Sequence, residues 1–439
     1  MIRKRMTREQ HVQLGLKRRT QMKRAELAVY QAASDRDAMG ALLASCAGRV
    51  KELLPVKWKR MSAGPFAYYR GSAPTMAADL AASHHTNLLC QLGGDAHMSN
   101  FGFFATPDSK VIFDVNDFDE TIRGPWEWDV KRMATSIVLA ARESGGSDAD
   151  ARAAVRIFLH EYCGWVRVFA ETTAINVARH RVNRDMQDAV LRDALAHAER
   201  ATPVLNMQKL CLKQGGEWQF RRIPDVLWDV KGKTRAAVLK TLTTYRDTLR
   251  PSHQELFDKY TPVEVGFKVV GVGSIGTRDY IVLLFGADES DPLLLQVKEE
   301  PHSAYAPYMS KAGLNDVGPS HQGHRVVCGQ HALQVLSDLL LGWTTIDGRD
   351  YLVRQLNDHK RSVDFNDLKK THMAEYMRVT AEVLAKGHCR SGDPIAMAAY
   401  LGVSDKAAVN LEKFAFTYAE QVKKDFEVFK KALRSGKLK

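Results

Sequence analysis

Hydrophobic residues recur with helical spacing over most of the chain and with strand-like spacing in a few short stretches. Helical periodicity covers residues 25–55, 127–143, 149–212 and 373 to the C-terminus. Short β-rich runs lie at 110–115, 263–270, 280–285 and 293–297. The pattern therefore predicts an α+β protein in which a β-rich unit is embedded between helical stretches.

The composition is that of an ordinary globular protein. The chain has 439 residues, of which 45% are hydrophobic and 26% are charged, and this length is sufficient for two or more lobes. The six cysteines are scattered without a CxxC pair, and no apolar segment follows the basic start. No run approaches the roughly 18 apolar residues of a membrane span. These features predict a cytoplasmic protein with reduced thiols and no membrane span.

The formal net charge of +12 suits an anionic ligand such as a nucleotide, a phosphorylated metabolite or RNA. Much of this charge is local, because residues 3–24 carry many Lys and Arg side chains against a single acid, Glu9. The segment lacks the aromatic residues that stack on bases. A solvated basic arm is therefore favoured, and a nucleic-acid partner is the less favoured alternative.

The segment at 94–100, Gly-Asp-Ala-His-Met-Ser-Asn, has the spacing of a kinase catalytic loop. Asp95 precedes Asn100 by five residues. In such a loop the aspartate accepts the proton of the attacking hydroxyl, and the asparagine holds magnesium. His97 lies between them, as in the small-molecule phosphotransferase variant that has Gly-Asp-x-His-x-x-Asn. Taken alone, the same string is also typical of a turn-forming loop.

A cluster of acids follows the short strand predicted at 111–113. Asp114, Asp117 and Asp119 repel one another unless a cation neutralises them, which favours a metal site over a solvated acidic turn. Asp117 lies where the metal-binding aspartate of a kinase belongs, with Asp114 and Asp119 as alternatives. Twelve residues further on, Asp129 has the position of the aspartate that anchors the next helix in the aminoglycoside and choline kinase group.

A glycine-rich loop lies between two predicted strands. It contains a GxGxxG string with the candidate residues Gly271, Gly273, Ser274 and Gly276. Residues 277–285 continue as a strand, whereas a dinucleotide fold requires a helix there. This context favours a flap over phosphates, in which glycines let backbone amides approach an anion. Lys298 ends the next strand, where a kinase lysine reaches the α- and β-phosphates.

Specific motifs lie along nearly the whole chain. They are Phe-Ala-Tyr-Tyr-Arg-Gly at 66–71, the catalytic-loop motif at 94–102, Asn-Asp-Phe-Asp-Glu-Thr at 116–121, Gly-Pro-Trp-Glu-Trp-Asp-Val-Lys-Arg at 124–132 and Tyr-Leu-Val-Arg-Gln-Leu at 351–356. Together they resemble the bacterial family labelled domain of unknown function 2252. The resemblance implies a likeness to kinase-like phosphotransferases, although the family label confers no activity. Within the first motif, Arg70 is a candidate for neutralising a transferred phosphate, with a buried structural ion pair as the alternative.

The order of these motifs is the reverse of the usual kinase order, because the glycine-rich loop comes last. A circularly permuted, protein-kinase-like fold with two lobes reconciles the two orders. Residues 262–360 would form the small β-rich nucleotide-binding lobe. Residues 1–261, with the catalytic and metal loops, and residues 361–439 would together form the large, mainly helical lobe.

In this arrangement the strand at 351–356 leads into the hinge that meets adenine. Arg354 and Gln355 are therefore candidate nucleotide-binding residues. The arrangement also requires Lys298 to meet Asp117 across one cleft.

The helix predicted after the lysine strand departs from the kinase pattern. A kinase lysine is normally held by a glutamate of that helix, and the predicted helix at 321–343 contains none. Glu299 and Glu300 are adjacent to Lys298 in sequence, but we expect them to point off the strand differently. The substitutes that the helix offers are Gln330, Gln334 and Asp338.

The sequence thus predicts an ATP- and Mg²⁺-dependent phosphotransferase acting on an unidentified hydroxyl-bearing small molecule or protein. Asp95 would be the general base, with His97 and Arg70 beside it, and Asn100 and Asp117 would hold the metal. One alternative is a nucleotidyl transferase that transfers AMP. Another is a catalytically inactive nucleotide-binding protein, which the missing helix glutamate favours. A basic nucleic-acid-binding protein is the third.

Overall fold

The computed structural model describes residues 6–108, 110–182, 195–196, 202–269, 271–315, 318–356, 361–362 and 370–438. Three predicted features lie partly outside this set. They are the helical stretch at 149–212, the end of the strand at 263–270, and residues 357–360 after the predicted hinge strand. Within the described residues the protein combines long helices with a large antiparallel sheet and smaller ones, which confirms the α+β class.

Helices make up the first part of the chain and its end. The α-helices in chain order are α1 (Arg8–Gln21), α2 (Ala38–Ala44), α3 (Leu54–Met61), α4 (Pro65–Gly71), α5 (Ala73–Ala81), α6 (Glu127–Glu143), α7 (Asp148–Glu171), α8 (Ala174–Arg179), α9 (Pro203–Leu210), α10 (Gly232–Arg246), α11 (Pro251–Phe257), α12 (Gln322–Leu333), α13 (Lys370–Ser391), α14 (Pro394–Leu401) and α15 (Lys406–Arg434). Short 3-10 helices lie at Arg24–Ala28, Lys51–Leu53, Met98–Asn100 and Ala306–Tyr308. Among the residues that the structure describes, no helix is both long and apolar enough to cross a bilayer.

The strands of the described residues fall into one large sheet and three small ones. In chain order they are β1 (Leu89–Leu92), β2 (Phe101–Ala105), β3 (Val111–Val115), β4 (Ile122–Pro125), β5 (Cys211–Gln214), β6 (Glu217–Phe220), β7 (Leu227–Asp229), β8 (Thr261–Lys268), β9 (Asp279–Phe285), β10 (Pro292–Glu299), β11 (Gly342–Ile346), β12 (Arg349–Gln355) and β13 (Arg361–Ser362). The large sheet is antiparallel with the order β11-β12-β10-β9-β8-β7. The three strands predicted between 263 and 297 are its neighbouring strands β8, β9 and β10.

The large sheet extends beyond the segment from which it was predicted. Its edge strand β7 comes from upstream of residue 262, and helix α10 contributes Val238, Leu242 and Tyr245 to the core on the sheet. The division of the chain at 261 and 360 stays a prediction.

The largest core joins the two ends of the chain. Helices α6, α7, α13 and α15 pack together there, and α6 is buried around most of its circumference. On α15, the side chains of Phe414, Tyr418 and Phe429 are buried at helical spacing and contact residues of the N-terminal region such as Tyr30 and Trp58. The early and late helical segments therefore form one body.

Two small sheets carry the predicted loops. β1 pairs with β4, and β2 pairs with β3 and β13, all antiparallel. The loop at 93–100 connects β1 to β2, and the loop at 116–121 connects β3 to β4. Leu92 pairs with Ile122 and Phe101 pairs with Val115, so both loops begin and end at neighbouring strand ends and lie close together.

Two helical predictions are wrong in extent. The helix predicted at 321–343 ends at Leu333, and residues 342–346 form strand β11, whose Thr344, Thr345 and Ile346 have the β-branched side chains that favour strands. The stretch at 25–55 contains short helices separated by turns, since it is interrupted by residues such as Gly48 with its positive φ.

Candidate functional site

The motif residues meet in one small polar cavity between the sheets and the helical body. Its lining comprises Arg49, Arg70, Asp95, His97, Asn100, Asp117, Asp119, Glu120, Gly271, Val272, Gly273, Ser274, Thr277 and Pro301. The catalytic-loop motif, the acidic motif and the glycine-rich loop are thus brought together, although they are far apart in sequence. Its volume is about 50 Å³, far below the several hundred Å³ of a typical ligand pocket, so the glycine-rich loop lies close over the acids.

The loop that carries Asp95 is held by a helix. The carboxylate of Asp129, in the first turn of α6, accepts hydrogen bonds from the backbone N–H groups of Gly93 (2.7 Å) and Gly94 (3.0 Å). Gly94 has φ +80°, and a Cβ there would lie 2.0 Å from the carbonyl oxygen of Glu120. Glycine is therefore required where the two loops cross, and Asp129 anchors this crossing to α6.

Asp95 is buried against a cation. Its carboxylate accepts a hydrogen bond from Arg132 Nε at 2.5 Å, and the Arg132 side chain is fully buried. Burial raises the pKa of Asp95 to about 7; the Arg132 guanidinium opposes this rise, and the Glu120 carboxylate adds to it. Asp95 is thus a carboxyl group whose protonation changes near neutral pH, as a general base requires.

His97 lies beside Asp95, with 3.6 Å between His97 Nε2 and Asp95 Oδ2. Burial and the nearby cations of Arg70 and Arg132 lower the pKa of His97 well below its usual value. Its Nδ1 accepts a hydrogen bond from the backbone N–H of Ser99. A neutral His97 therefore supports the loop conformation.

Asn100 and Asp117 line the cavity with oxygen atoms. The side-chain Nδ2 of Asn100 donates to the backbone oxygen of Asp95 (2.9 Å), so its amide oxygen is the atom that can ligate a cation. Burial and the neighbouring Asp119 carboxylate raise the pKa of Asp117. No group of three His, Cys, Asp or Glu side chains among the described residues is arranged to hold a metal ion. The candidate protein ligands are therefore the Asn100 amide and the Asp117 carboxylate, and the alternative ligand Asp119 in the same cavity is paired with Lys298.

Lys298 pairs with Asp119. Its Nζ forms an ion pair with the Asp119 carboxylate, which also accepts a hydrogen bond from Ser274 Oγ (2.8 Å). Burial alone would lower the pKa of Lys298, but the Asp119 carboxylate outweighs it and raises the pKa. Lys298 therefore reaches the acidic motif by pairing with Asp119, which lines the cavity, although Lys298 itself is not part of the lining.

The expectation that both glutamates beside Lys298 point away from it is wrong for Glu300. Its carboxyl group lies 3.9 Å from Lys298 Nζ, because residues i and i+2 of an extended chain point to the same face. Glu299 points to the opposite face and pairs with Arg278 and Arg349. Glu300 is buried, its carboxyl oxygens have no hydrogen-bond partner among the described residues, and burial raises its pKa well above the usual value.

Asp114 does not join this group. It forms a buried ion pair with Lys386 of α13, in which the two side chains are 2% and 1% exposed. Strand β3 therefore turns Asp114 toward the helical body, away from Asp117. We exclude Asp114 from the candidate metal ligands.

The remaining predicted residues divide between the cavity and its surroundings. Arg70 lines the cavity, and its buried Nε has no hydrogen-bond partner in the described part of the chain. Arg354 and Gln355 do not line it. Arg354 Nε donates to Gln296 of the neighbouring strand β10, and the backbone N–H of Gln355 donates to Asp338.

Several residues of the site have no signal in the sequence. Arg49 and Lys57 contact the glycine-rich loop. Arg325 of α12 donates to the backbone oxygens of Thr121 (2.7 Å) and Asp119 (2.9 Å). Helix α12 therefore contacts the acidic loop through an arginine and main-chain oxygens, whereas a kinase would use a glutamate and the lysine. The contact links partners some 200 residues apart in sequence, which local spacing does not predict.

The fold and the site define an α+β protein with an acidic cavity beneath a glycine-rich loop. The chain belongs to the family DUF2252, described as an uncharacterized protein conserved in bacteria, whose model matches residues 49–432. No curated protein and no solved structure matches the chain.

Proposed function

We propose that the protein is a kinase-like phosphotransferase that uses ATP and Mg²⁺ and has a circularly permuted two-lobed fold. The observation that carries this proposal is the convergence of Asp95, Asn100, Asp117 and the glycine-rich loop on one cavity. Phosphoryl transfer requires a hydroxyl-positioning acid, oxygen ligands for a cation and main-chain donors for phosphates. These three kinds of group meet here.

The roles follow from the surroundings of each residue. Asp95 accepts the proton of the acceptor hydroxyl, because burial brings its pKa to about 7. Arg132 fixes the orientation of the Asp95 carboxylate. Asp119, which lines the cavity, pairs with Lys298. In a kinase a helix glutamate holds the lysine, and we infer that Asp119 takes over this task.

The residues present fit both implied groups. The Asn100 amide oxygen and the Asp117 carboxylate are oxygen ligands of the type that Mg²⁺ prefers. The buried Nε of Arg70, which lacks a partner in the part of the chain described, is a donor suited to a phosphoryl oxygen. Bound Mg²⁺ would neutralise charge on a transferred phosphoryl group. Because the cavity is small, the glycine-rich loop has to move outward to admit a nucleotide.

The order of the chain supports permutation. Strands β8, β9 and β10 carry the glycine-rich loop and Lys298, and β12 pairs with β10 so that Leu352 lies opposite Lys298. In a kinase these strands come first, whereas here they follow the loops of Asp95 and Asp117. The packing of α13 and α15 with α6 and α7 joins the late helices to the early ones.

Labelled ATP tests the proposal. The purified protein is incubated with Mg²⁺ and with ATP labelled on the γ- or the α-phosphate, in water and with a panel of hydroxyl compounds and proteins. Metal-dependent transfer or hydrolysis of the γ-label, lost in Asp95→Ala and Asp117→Ala, is the expected result. Equal turnover by the wild type and both variants would defeat the mechanism. Transfer of the α-label would show a nucleotidyl transferase, and ATP binding without turnover would show an inactive nucleotide-binding protein.

A further inference from the structure

A buried lysine binds the outer side of the glycine-rich loop. Lys57 lies on α3, its side chain is 1% exposed, and its Nζ donates to the backbone oxygens of Val272 (3.2 Å) and Gly273 (3.1 Å). Among the described residues no carboxylate forms an ion pair with it. Burying an ammonium group without a counterion is costly, so a lysine at this position needs an explanation beyond packing.

A second cation binds the same loop. Arg49 Nη1 donates to the backbone oxygens of Gly273 (2.8 Å) and Ile275 (2.7 Å), and the neighbouring Val50 N–H donates to the oxygen of Gly276 (2.7 Å). Gly276 has φ +93°, and a Cβ there would lie 3.0 Å from Arg49 Cβ. The loop thus packs directly on the Arg49 stem, and glycine permits this approach.

The direction of these carbonyl groups fixes the direction of the amides. In a trans peptide the C=O and the following N–H point in opposite directions, and the described chain contains no cis peptide bond. Cations that hold the oxygens of Val272, Gly273 and Ile275 therefore turn the N–H groups of the next residues away from the cations. Those residues are Gly273, Ser274 and Gly276.

We propose that Arg49 and Lys57 form a clamp of hydrogen-bond donors that aims the amides of the glycine-rich loop at the phosphates of a polyphosphate ligand. This inference rests on the proposed function, and it deepens it by assigning two positioning residues and by making the phosphate chain the part of the ligand that the loop recognises. The Arg49 guanidinium also adds positive charge behind the loop, which favours an anion on its inner side. The clamp residues act through the main chain of the loop, so the loop can present its amides to phosphates without carrying a cationic side chain.

Hydrogen exchange of the loop tests the clamp without any ligand. Lys57→Met and Arg49→Gln are compared with the wild type and with Lys59→Met, a matched control on the exposed side of the same helix. We expect exchange of amides 271–278 to become about tenfold faster in both clamp variants, the equivalent of losing about one hydrogen bond, and to stay unchanged in the control. Unchanged exchange in both clamp variants overturns the proposal. Arg49 is partly exposed, so its variant keeps the test valid if Lys57→Met does not fold.

A second arm identifies what the loop recognises. Binding of Mg-ATP and of inorganic tripolyphosphate is measured by calorimetry for the same four proteins. The binding affinities for both ligands are expected to fall by the same factor, about tenfold or more, in the clamp variants. Weakening of ATP with unchanged tripolyphosphate binding would overturn the assignment of the loop to phosphates. A wild type that binds neither ligand would defeat the proposed function, whereas the exchange result would still judge whether the clamp orders the loop.

Discussion

Arg132 Nε donates a 2.5 Å hydrogen bond to the carboxylate of Asp95 inside the protein. The cation favours the ionised carboxylate, whereas burial and the Glu120 carboxylate favour the protonated form and raise its pKa to about 7. Arg132 thus both orients Asp95 and keeps its pKa from rising further.

This balance predicts the pH dependence of turnover. The ionised Asp95 is the active form, so kcat/KM for Mg-dependent ATP turnover should rise with pH up to about 7 and then level off. In Arg132→Met the opposing cation is gone, and the midpoint should move to higher pH. Rates measured from pH 5.5 to 9 check both statements. A profile that is flat below pH 7 in the wild type would remove Asp95 as the base.

Asp117 and Asp114 give a matched pair of substitutions. Asp117→Asn should lower Mg-dependent turnover about a hundredfold or more, since it removes a charged group from the cavity. Asp114→Asn leaves the buried Lys386 charge unpaired and should lower the free energy of unfolding by about 3–5 kcal/mol. Denaturation curves and metal titrations of turnover distinguish the two effects. A strong loss of metal dependence in a stable Asp114→Asn protein would restore Asp114 as a ligand.

A double-mutant cycle measures the Lys298–Asp119 pair. Lys298→Met and Asp119→Asn each leave the other residue buried without its partner. The loss of free energy of unfolding in the double variant should therefore be smaller than the sum of the two single losses by about 1–3 kcal/mol. Lys298→Met with Glu299→Gln is the control, because Glu299 lies on the other face of the strand and its effect should simply add. Chemical denaturation supplies the free energies of unfolding. Full additivity for Lys298 and Asp119 would show that the pair is not coupled.

The parts of the site that could be predicted depend on short-range spacing. Asp95 with Asn100 is one local motif, so spacing was sufficient to predict that both would lie in the same cavity. Lys298 follows the glycine-rich loop within a run of adjacent strands, which predicts its position beside the acidic motif, while the roles of all three residues stay predictions. The partner of Lys298 was missed because Asp119 lies 179 residues away. Lys57 is indistinguishable in sequence from a surface lysine of a helix, and its contact with Val272 spans 215 residues.

Glu300 should behave as a neutral group. Burial raises its pKa well above the usual value, so between that value and its folded pKa the folded state keeps a proton that the unfolded state has lost. The stability of the wild type should therefore fall with rising pH relative to Glu300→Gln, by up to about 1.4 kcal/mol per pH unit. At pH 7 the variant should be at least as stable as the wild type. A loss of more than about 1 kcal/mol would mean that an ionised Glu300 pairs with Lys298.

The pH dependence of stability that Lys57 contributes has the opposite sign to that of Glu300. It therefore gives a stability test of the clamp. Burial lowers the pKa of Lys57 from 10.5 to about 7, with Arg49 adding to the effect. Between these two values the unfolded chain binds the proton more tightly, so the contribution of Lys57 to the free energy of unfolding should rise with pH across this window.

The comparison of wild type with Lys57→Met isolates this contribution from the other titrating groups. The difference in their free energies of unfolding should shift in favour of the wild type by up to about 1.4 kcal/mol per unit between pH 7 and 10. Near pH 7 the variant should be no less stable than the wild type, although its loop is less ordered. Lys59→Met should show no such slope, because Lys59 is exposed. A difference that is constant with pH would mean that Lys57 stays charged in the folded protein, and the clamp would then bind the loop as a permanent cation.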